Sequence, residues 1–310
     1  MGNDKVQKEK KDKQQYNRSN FMMKVKDFFK NLFRSRTGFL GFILVFIVIF
    51  MAIFAPLLAP HSPRQLNLRE RLTPPIWMEE GNSKFILGTD GVGRDILSRI
   101  IYGSRISVTI GILSVLLGTL IGIPLGLVAG FYGGKVDTVI MRLADVQMSF
   151  PFILLAMYLL SILGGGLMNI IVVLGIGTWF KYARAVRGQV LYINELEYID
   201  SARALGSKTF RILFRHVLPN TLAPIIVVAS FSVAAAILSE AGLSFVGLGV
   251  NPEVPAWGSM LSEGRSYIRT AWWIVAFPGV AITLTVLGVN LLGDFLRDYL
   301  DPKTEVRETQ

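Results

Sequence analysis

Cysteine is absent from the 310 residues, so no disulfide framework, cysteine zinc site or thiol nucleophile is available. Histidine is nearly absent. His61 and His216 stand far apart, no Ser-His-Asp set exists, and the acidic residues are scattered, so no enzyme chemistry or metal site is expected. No Gly-x-x-x-x-Gly-Lys follows a strand, and Gly206-Ser207-Lys208-Thr209 lacks the rest of a phosphate loop, which excludes ATP hydrolysis by this chain. Charge is scarce too: 17% of residues are charged and 52% are hydrophobic, too apolar for a soluble domain and too evenly so for one anchor. The composition predicts an all-α membrane protein lying in a lipid bilayer. The net charge of +10 does not point to nucleic acid, because no basic stripe is interleaved with stacking aromatics. Eleven of the thirty-two Lys and Arg fall in the first thirty-six residues, where they orient the span that follows.

Residues 1–36 read as a basic cytoplasmic arm, polar and disordered over 1–20. Over 21–33, Phe, Met, Val and Leu among lysines suit a helix on the inner leaflet or a plain helical lead-in. No small-residue cleavage site follows a short apolar core, so no cleavable signal is expected. Residues 37–60 hold the first transmembrane helix: the apolar run 38–59, at about 1.5 Å per residue, crosses about 30 Å of hydrocarbon. Residues 61–105 form an external loop, in which Asp90, Arg94 and Asp95 are expected to make turns and local salt bridges.

Residues 106–295 carry five further spans. The second, 106–130, has Gly118, Gly122, Gly126 and Gly130 at four-residue spacing, a bare face for close helix packing, and Pro124, which should kink it. The third, 139–163, bends at Pro151 and carries Arg142 and Asp145, which can pair on one helix face, as a pathway element or a depth anchor. The fourth, 167–190, ends in Lys181, Arg184 and Arg187. In the fifth, 221–246, Glu240 is the only charge and either lines the pathway or bonds neighbouring backbone. A loop over 251–270 precedes Trp272 and Trp273 at an aromatic belt, the sixth span ends near Gly293, and 296–310 form a tail. Six transmembrane helices put the N- and C-termini on one side. Lys and Arg divide twenty-three to nine in favour of that side, making it the cytoplasm.

One polar island stands between apolar blocks, at about residues 191–219. Helix formers run to Leu205, Gly206 sits where a helix ends in a left-handed residue, and a second helical run stops before Pro219. Small Ser201 and Ala202 let a partner approach the backbone, Asp200 and Arg203 offer charge at the rim, and Glu197 opens the helix, a shape suited to another protein's groove. The order Asp200-Ser201-Ala202, three residues, Gly206, then Leu218-Pro219 resembles the EAA loop of bacterial ABC importer permeases. Asp-Ser replaces Glu-Ala here, and His216 stands where an apolar residue is usual. The stretch Leu87-Gly88-Thr89-Asp90-Gly91-Val92-Gly93-Arg94-Asp95 resembles the segment before the second span of the oligopeptide and dipeptide subfamily.

The resemblance implies the type I ABC importer permease fold in a bacterial inner membrane. It implies a pore shared with a second, homologous permease subunit as a heterodimer, two cytoplasmic ABC ATPases and an extracytoplasmic binding protein. ATP and Mg would sit on the ATPases, with no cofactor on this chain. Glu197, Asp200, Ser201, Ala202, Arg203, Leu205 and Gly206 would couple to an ATPase, with Leu218 and Pro219 ending the loop. Dipeptides, oligopeptides, glutathione and chelated nickel are all cargoes of such permeases. An ion-driven carrier, marked by intramembrane ion ligands and matching broken spans, and a non-transporting scaffold are the other classes open.

Overall fold

The computed structural model describes residues 22, 23, 26–251 and 253–300, and among them every regular element is a helix. The basic arm over 1–20 and the end of the tail, 301–310, lie outside the described residues. Residues 26–34 are helical, with Leu32 buried and Phe28 packed edge-on against Phe295 and Tyr299. The long elements follow in order: α1 (Arg36–Ile53), α2 (Ile96–Tyr132), α3 (Gly134–Met148), α4 (Phe152–Leu163), α5 (Leu167–Ile176), α6 (Trp179–Asn194), α7 (Glu197–Ala204), α8 (Thr209–Phe245), α9 (Trp257–Gly264) and α10 (Trp273–Leu300).

Four of these, α1, α2, α8 and α10, are long and apolar enough to cross a membrane as single helices. The third expected span is a pair, α3 and α4, bent by 86°. Pro151 supplies the break, since it has no N–H to donate and keeps the preceding residue out of helical geometry. The fourth expected span is divided into α5 and α6 at Gly177-Thr178. Gln147 bridges that break: its amide donates to the Ile176 carbonyl at 3.0 Å and accepts from Trp179 Nε1 at 2.6 Å.

α2 is the axis on which the others pack, and three apolar clusters lie along it. Near its start, Ile96 and Ile100 meet Val48 of α1, Trp257 of α9 and Ile274 of α10. At its middle, Ile110 meets α4, α5 and α8, and towards its end Leu127 meets α6, α7 and α8. The glycine ladder is what lets α6 approach. A Cβ on Gly122 would lie 2.3 Å from the Trp179 carbonyl oxygen, and one on Gly126 2.5 Å from that of Ala183. Gly118 faces Thr178 and Gly130 faces Val190 in the same row. The helix runs through Pro124 unbroken.

The start of α2 moves because charge is neutralised by distant partners. α2 starts ten residues before the expected Ile106, capped by Asp95, whose carboxylate accepts from Ser98 N at 3.0 Å. Two arginines fit in that extension. Arg99 is buried between Glu263 at 3.2 Å and Asp90 at 3.4 Å, and Arg105 donates to the Ala52 and Ile53 carbonyls that end α1. Asp90 also pairs with Arg94 as expected, at 2.6 Å, and Arg94 reaches Glu263 as well.

The expected pairing of Arg142 with Asp145 does not form. Asp145 bonds Arg184 and Asp137 bonds Arg187, so α3 is clamped across to α6 because their helix faces meet there, while Arg142 stays exposed. The loop over 251–270 contains α9, and its Trp257 is fully buried, donating to the Ile100 carbonyl at 2.9 Å. The expected stop before Pro219 is absent too. A π-turn over Leu213–Val217 carries the helix past Pro219, with Leu218 N reaching back to the Leu213 carbonyl. Pro219, in the first turn of the straight part, has no N–H that needs an acceptor.

Candidate coupling site

α7 projects where α2, α6 and α8 end together. Its sequence explains its form. Glu197 and Asp200 occupy the first turn and Arg203 the last, so each charge opposes the helix dipole. Only Ile199 is buried, set into the apolar cluster of Val186, Val190, Ile212 and Val217. Eight residues make a marginal helix in isolation, so this one anchor and the two ends must hold it.

The C-terminal end is well built. Gly206 N–H donates to the Arg203 carbonyl at 2.9 Å and Ser207 N–H to the Ala202 carbonyl at 3.0 Å. Together they form a Schellman turn, which requires the left-handed backbone that Gly206 adopts at φ +76°. Among the described residues, no atom beyond its chain neighbours lies within 4 Å of where a Gly206 side chain would begin. The glycine serves the turn, and its surroundings are open.

Arg203 ties α7 to the body. It pairs with Asp200 at 3.2 Å, donates to Asn194 Oδ1 at 3.4 Å and lies over the Phe131 ring at 5.7 Å. Tyr198 meets the His216 ring at 6.2 Å on the other side. What remains outward is apolar. Leu205 is 87% exposed, Phe210 is 70% exposed, and the Phe210 and Phe214 rings lie tilted against each other with centroids 4.3 Å apart. Such a patch, rimmed by Asp200, Arg211 and Arg215, is what a docking surface presents.

Glu197, Asp200, Ser201, Ala202, Arg203, Leu205 and Gly206 are thus brought together on one projecting turn-capped helix. Leu218 packs against the same cluster as Ile199 from the start of the straight part of α8, with Pro219 beside it. Glu240 is elsewhere, roughly 33 Å further along α8, and Arg142 and Asp145 are on α3. Glu240 is 1% exposed and accepts from Ser244 Oγ at 2.7 Å and Ser107 Oγ at 3.5 Å, stitching α8 to α2. The sequence reading did not single out Ile199, Asn194, Phe131 or the Phe210–Phe214 pair. Of these only the aromatic pair carried a signal, two rings four residues apart among arginines on a predicted polar loop.

Residues 122–306 match the family of binding-protein-dependent transport system inner membrane components, a stretch that includes α3 to α10. The chain belongs to that family. Residues 25–75 of this permease also match the N-terminal transmembrane domain of oligopeptide transport permease C. The di/tripeptide transport system permease protein DppC of Pseudomonas aeruginosa is 43% identical over 279 residues, covering 90% of this chain and 92% of that protein. The glutathione transport system permease protein GsiD of Pectobacterium atrosepticum is 49% identical over 227 residues, covering 73% and 75%. An inward-facing crystal form of the MetNI methionine ABC transporter shares the fold, with a TM-score of 0.57 at 20% identity, over 66% of this chain and 98% of that one.

The permease is therefore a multi-pass protein of the bacterial inner membrane. It is the non-catalytic membrane component of an ABC importer, which works with ATPase and substrate-binding partners.

Proposed function

We propose that this permease and a related second subunit form the pore of an ATP-driven importer of short peptides. Two ABC ATPases dock from the cytoplasm, each gripping one coupling helix, and an extracytoplasmic binding protein delivers the cargo. α7 is this chain's coupling helix, and the observation that carries the reading is its form: a rigidly capped helix holding Leu205 almost wholly in solvent. The six crossings are α1, α2, the bent pair α3–α4, the divided pair α5–α6, α8 and α10, with both termini and α7 in the cytoplasm, where Lys and Arg are concentrated.

ATP and Mg act on the ATPases, and this chain contributes a lever. Closure of the ATPases displaces α7. Because α7 is joined through Glu195-Leu196 to α6 and through the Schellman turn to α8, the displacement tilts both helices. α6 is seated on the glycine ladder of α2, so its movement passes into the bundle as a slide of close-packed backbones. ATP drives this only through its different affinity for the two arrangements. Short peptides are the favoured cargo because relatives of 43% and 42% identity are named di/tripeptide and dipeptide permeases. Glutathione is the second reading, favoured by the 49% identical relative.

Uptake of labelled dipeptide, glutathione and nickel by cells carrying the intact chain or Leu205→Asp tests the assignment. The expected result is dipeptide uptake that disappears in the variant together with the co-purifying ATPase, at unchanged membrane levels. Uptake and ATPase association that both survive would overturn the coupling role and bring forward an ion-driven carrier.

A further inference from the structure

A cavity of about 90 Å³, walled mostly by apolar surface but reached by the side chains of Ser114, Thr178, Lys181, Ser232 and Ser239, lies among α2, α4, α5, α6 and α8, at the level of the two helix breaks. Four features of it bear on what it could hold. Ser114, at the middle of α2, is 1% exposed, lines the cavity, and its Oγ has no hydrogen-bond partner among the described residues. α6 starts here without a side-chain cap, and Phe180 and Lys181 of its first turn line the wall. Its first N–H groups therefore present the positive end of a sixteen-residue helix. Phe152, the first residue of α4, borders the same space from a second uncapped helix start. Lys181 adds a full positive charge with no ion pair among the described residues. Among the described residues, no acidic side chain lines the cavity.

Hydroxyl donor, helix N-terminus and ammonium all suit one chemistry, an anion with planar acceptor oxygens. Lys181 is exposed on the first turn of α6, so its ammonium stands at the cavity wall free to meet a ligand. The apolar walls, Phe152 and Phe180, lower the local dielectric and strengthen any charge contact made there. Size narrows the choice further: about 90 Å³ is less than the roughly 150 Å³ that accommodates benzene in an engineered cavity, so the space takes an end group and leaves the rest of a solute outside.

We propose that this cavity is a transient carboxylate site of the translocation pathway, which holds the C-terminal carboxylate of a passing peptide between Lys181, Ser114 and the start of α6. The proposal rests on the importer reading for the identity of the solute. It adds a recognition element indifferent to side chains, because every free peptide carries the same terminus. It also makes the two helix breaks functional. They release helix ends into a cavity, where irregular backbone is tolerated in a membrane.

Two measurements test it. In the first, the line width of [1-¹³C]acetate is followed with the full chain in detergent. Broadening is expected with the wild type and with Lys181→Arg. It should fall at least about threefold with Lys181→Met and with Ser114→Ala, and be absent with [¹³C]acetamide. Equal broadening by wild type, Lys181→Met and Ser114→Ala overturns the site whatever the cargo.

In the second, proteoliposomes holding the complete transporter take up Ala-Ala or its C-terminal amide. Lys181→Met should raise KM for the acid about tenfold and leave that for the amide alone, the loss of one charge-assisted contact. Lys181→Arg should restore the acid, and the co-purified ATPase reports that each variant is assembled. An acid-to-amide ratio unchanged by Lys181→Met overturns the peptide role of the site. Wild-type transport of neither compound, with acetate broadening intact, overturns the peptide cargo alone and leaves the carboxylate site standing.

Discussion

Replacement of Gly206 separates the two things this residue does. Its φ of +76° costs an L-residue about 1–2 kcal/mol, and no atom within 4 Å would meet an added side chain. Within the permease alone, Gly206→Ala and Gly206→Phe should therefore cost the same, about 1 kcal/mol, and Gly206→Asn distinctly less, because asparagine visits this conformation readily. One kcal/mol loosens the end of α7 about fivefold. Hydrogen exchange at the Gly206 and Ser207 amides, which bond the Arg203 and Ala202 carbonyls, should speed up by that factor in both variants. ATPase association should then divide them. Alanine should weaken it about as much as it loosens the turn, whereas phenylalanine, planted on the outward face, should weaken it more than tenfold. Equal loss of association by the two variants would show that Gly206 meets no partner. Exchange unchanged in both would refute the argument from the turn itself.

Three further predictions follow from packing. Gly122→Ala or Gly126→Ala must push α6 off α2 and should each destabilise the detergent-solubilised chain by about 1–3 kcal/mol, while Gly188→Ala, open on α6, should stabilise it by up to about 1 kcal/mol; thermal unfolding checks both signs. Arg99→Ala removes one of the two arginines that neutralise Asp90 and Glu263, leaving Arg94 paired with both, and should cost about 1–3 kcal/mol, read as a loss of folded protein in the membrane fraction. Glu240→Gln keeps an acceptor for Ser244 and should change uptake less than about twofold, whereas a tenfold loss would make Glu240 a pathway residue.

The form of α7 was legible because its determinants are local. A helix stop at Gly206, acidic residues in the first turn, and an island of polarity between apolar runs are all written within ten residues, and the fold keeps them. The glycine ladder was legible for a related reason. A fixed spacing on one long apolar helix defines a face whatever packs on it, and α6 is what packs there.

Pairing across the chain was not legible. Arg142 and Asp145 satisfy the spacing rule for a helix pair, yet Asp145 turns to Arg184 because α3 and α6 pack side by side through Ala144, Gln147, Trp179 and Ala183. Arg99 looked like a loop charge and lies inside α2, since Glu263, 164 positions away, neutralises it. Pro219 looked like a terminator and is accommodated by a π-turn. The break between α5 and α6 left no mark that apolar content could reveal, and the unpartnered hydroxyl of Ser114 is an orphan only because of what surrounds it. By itself the sequence determined which segments are apolar enough to enter a bilayer, where the polar helix lies and how that helix ends, because hydrophobic transfer and local backbone preference act over one segment at a time. Only the tertiary structure decided which charges meet, where helices break and what cavity the breaks enclose, because those depend on the distances between segments.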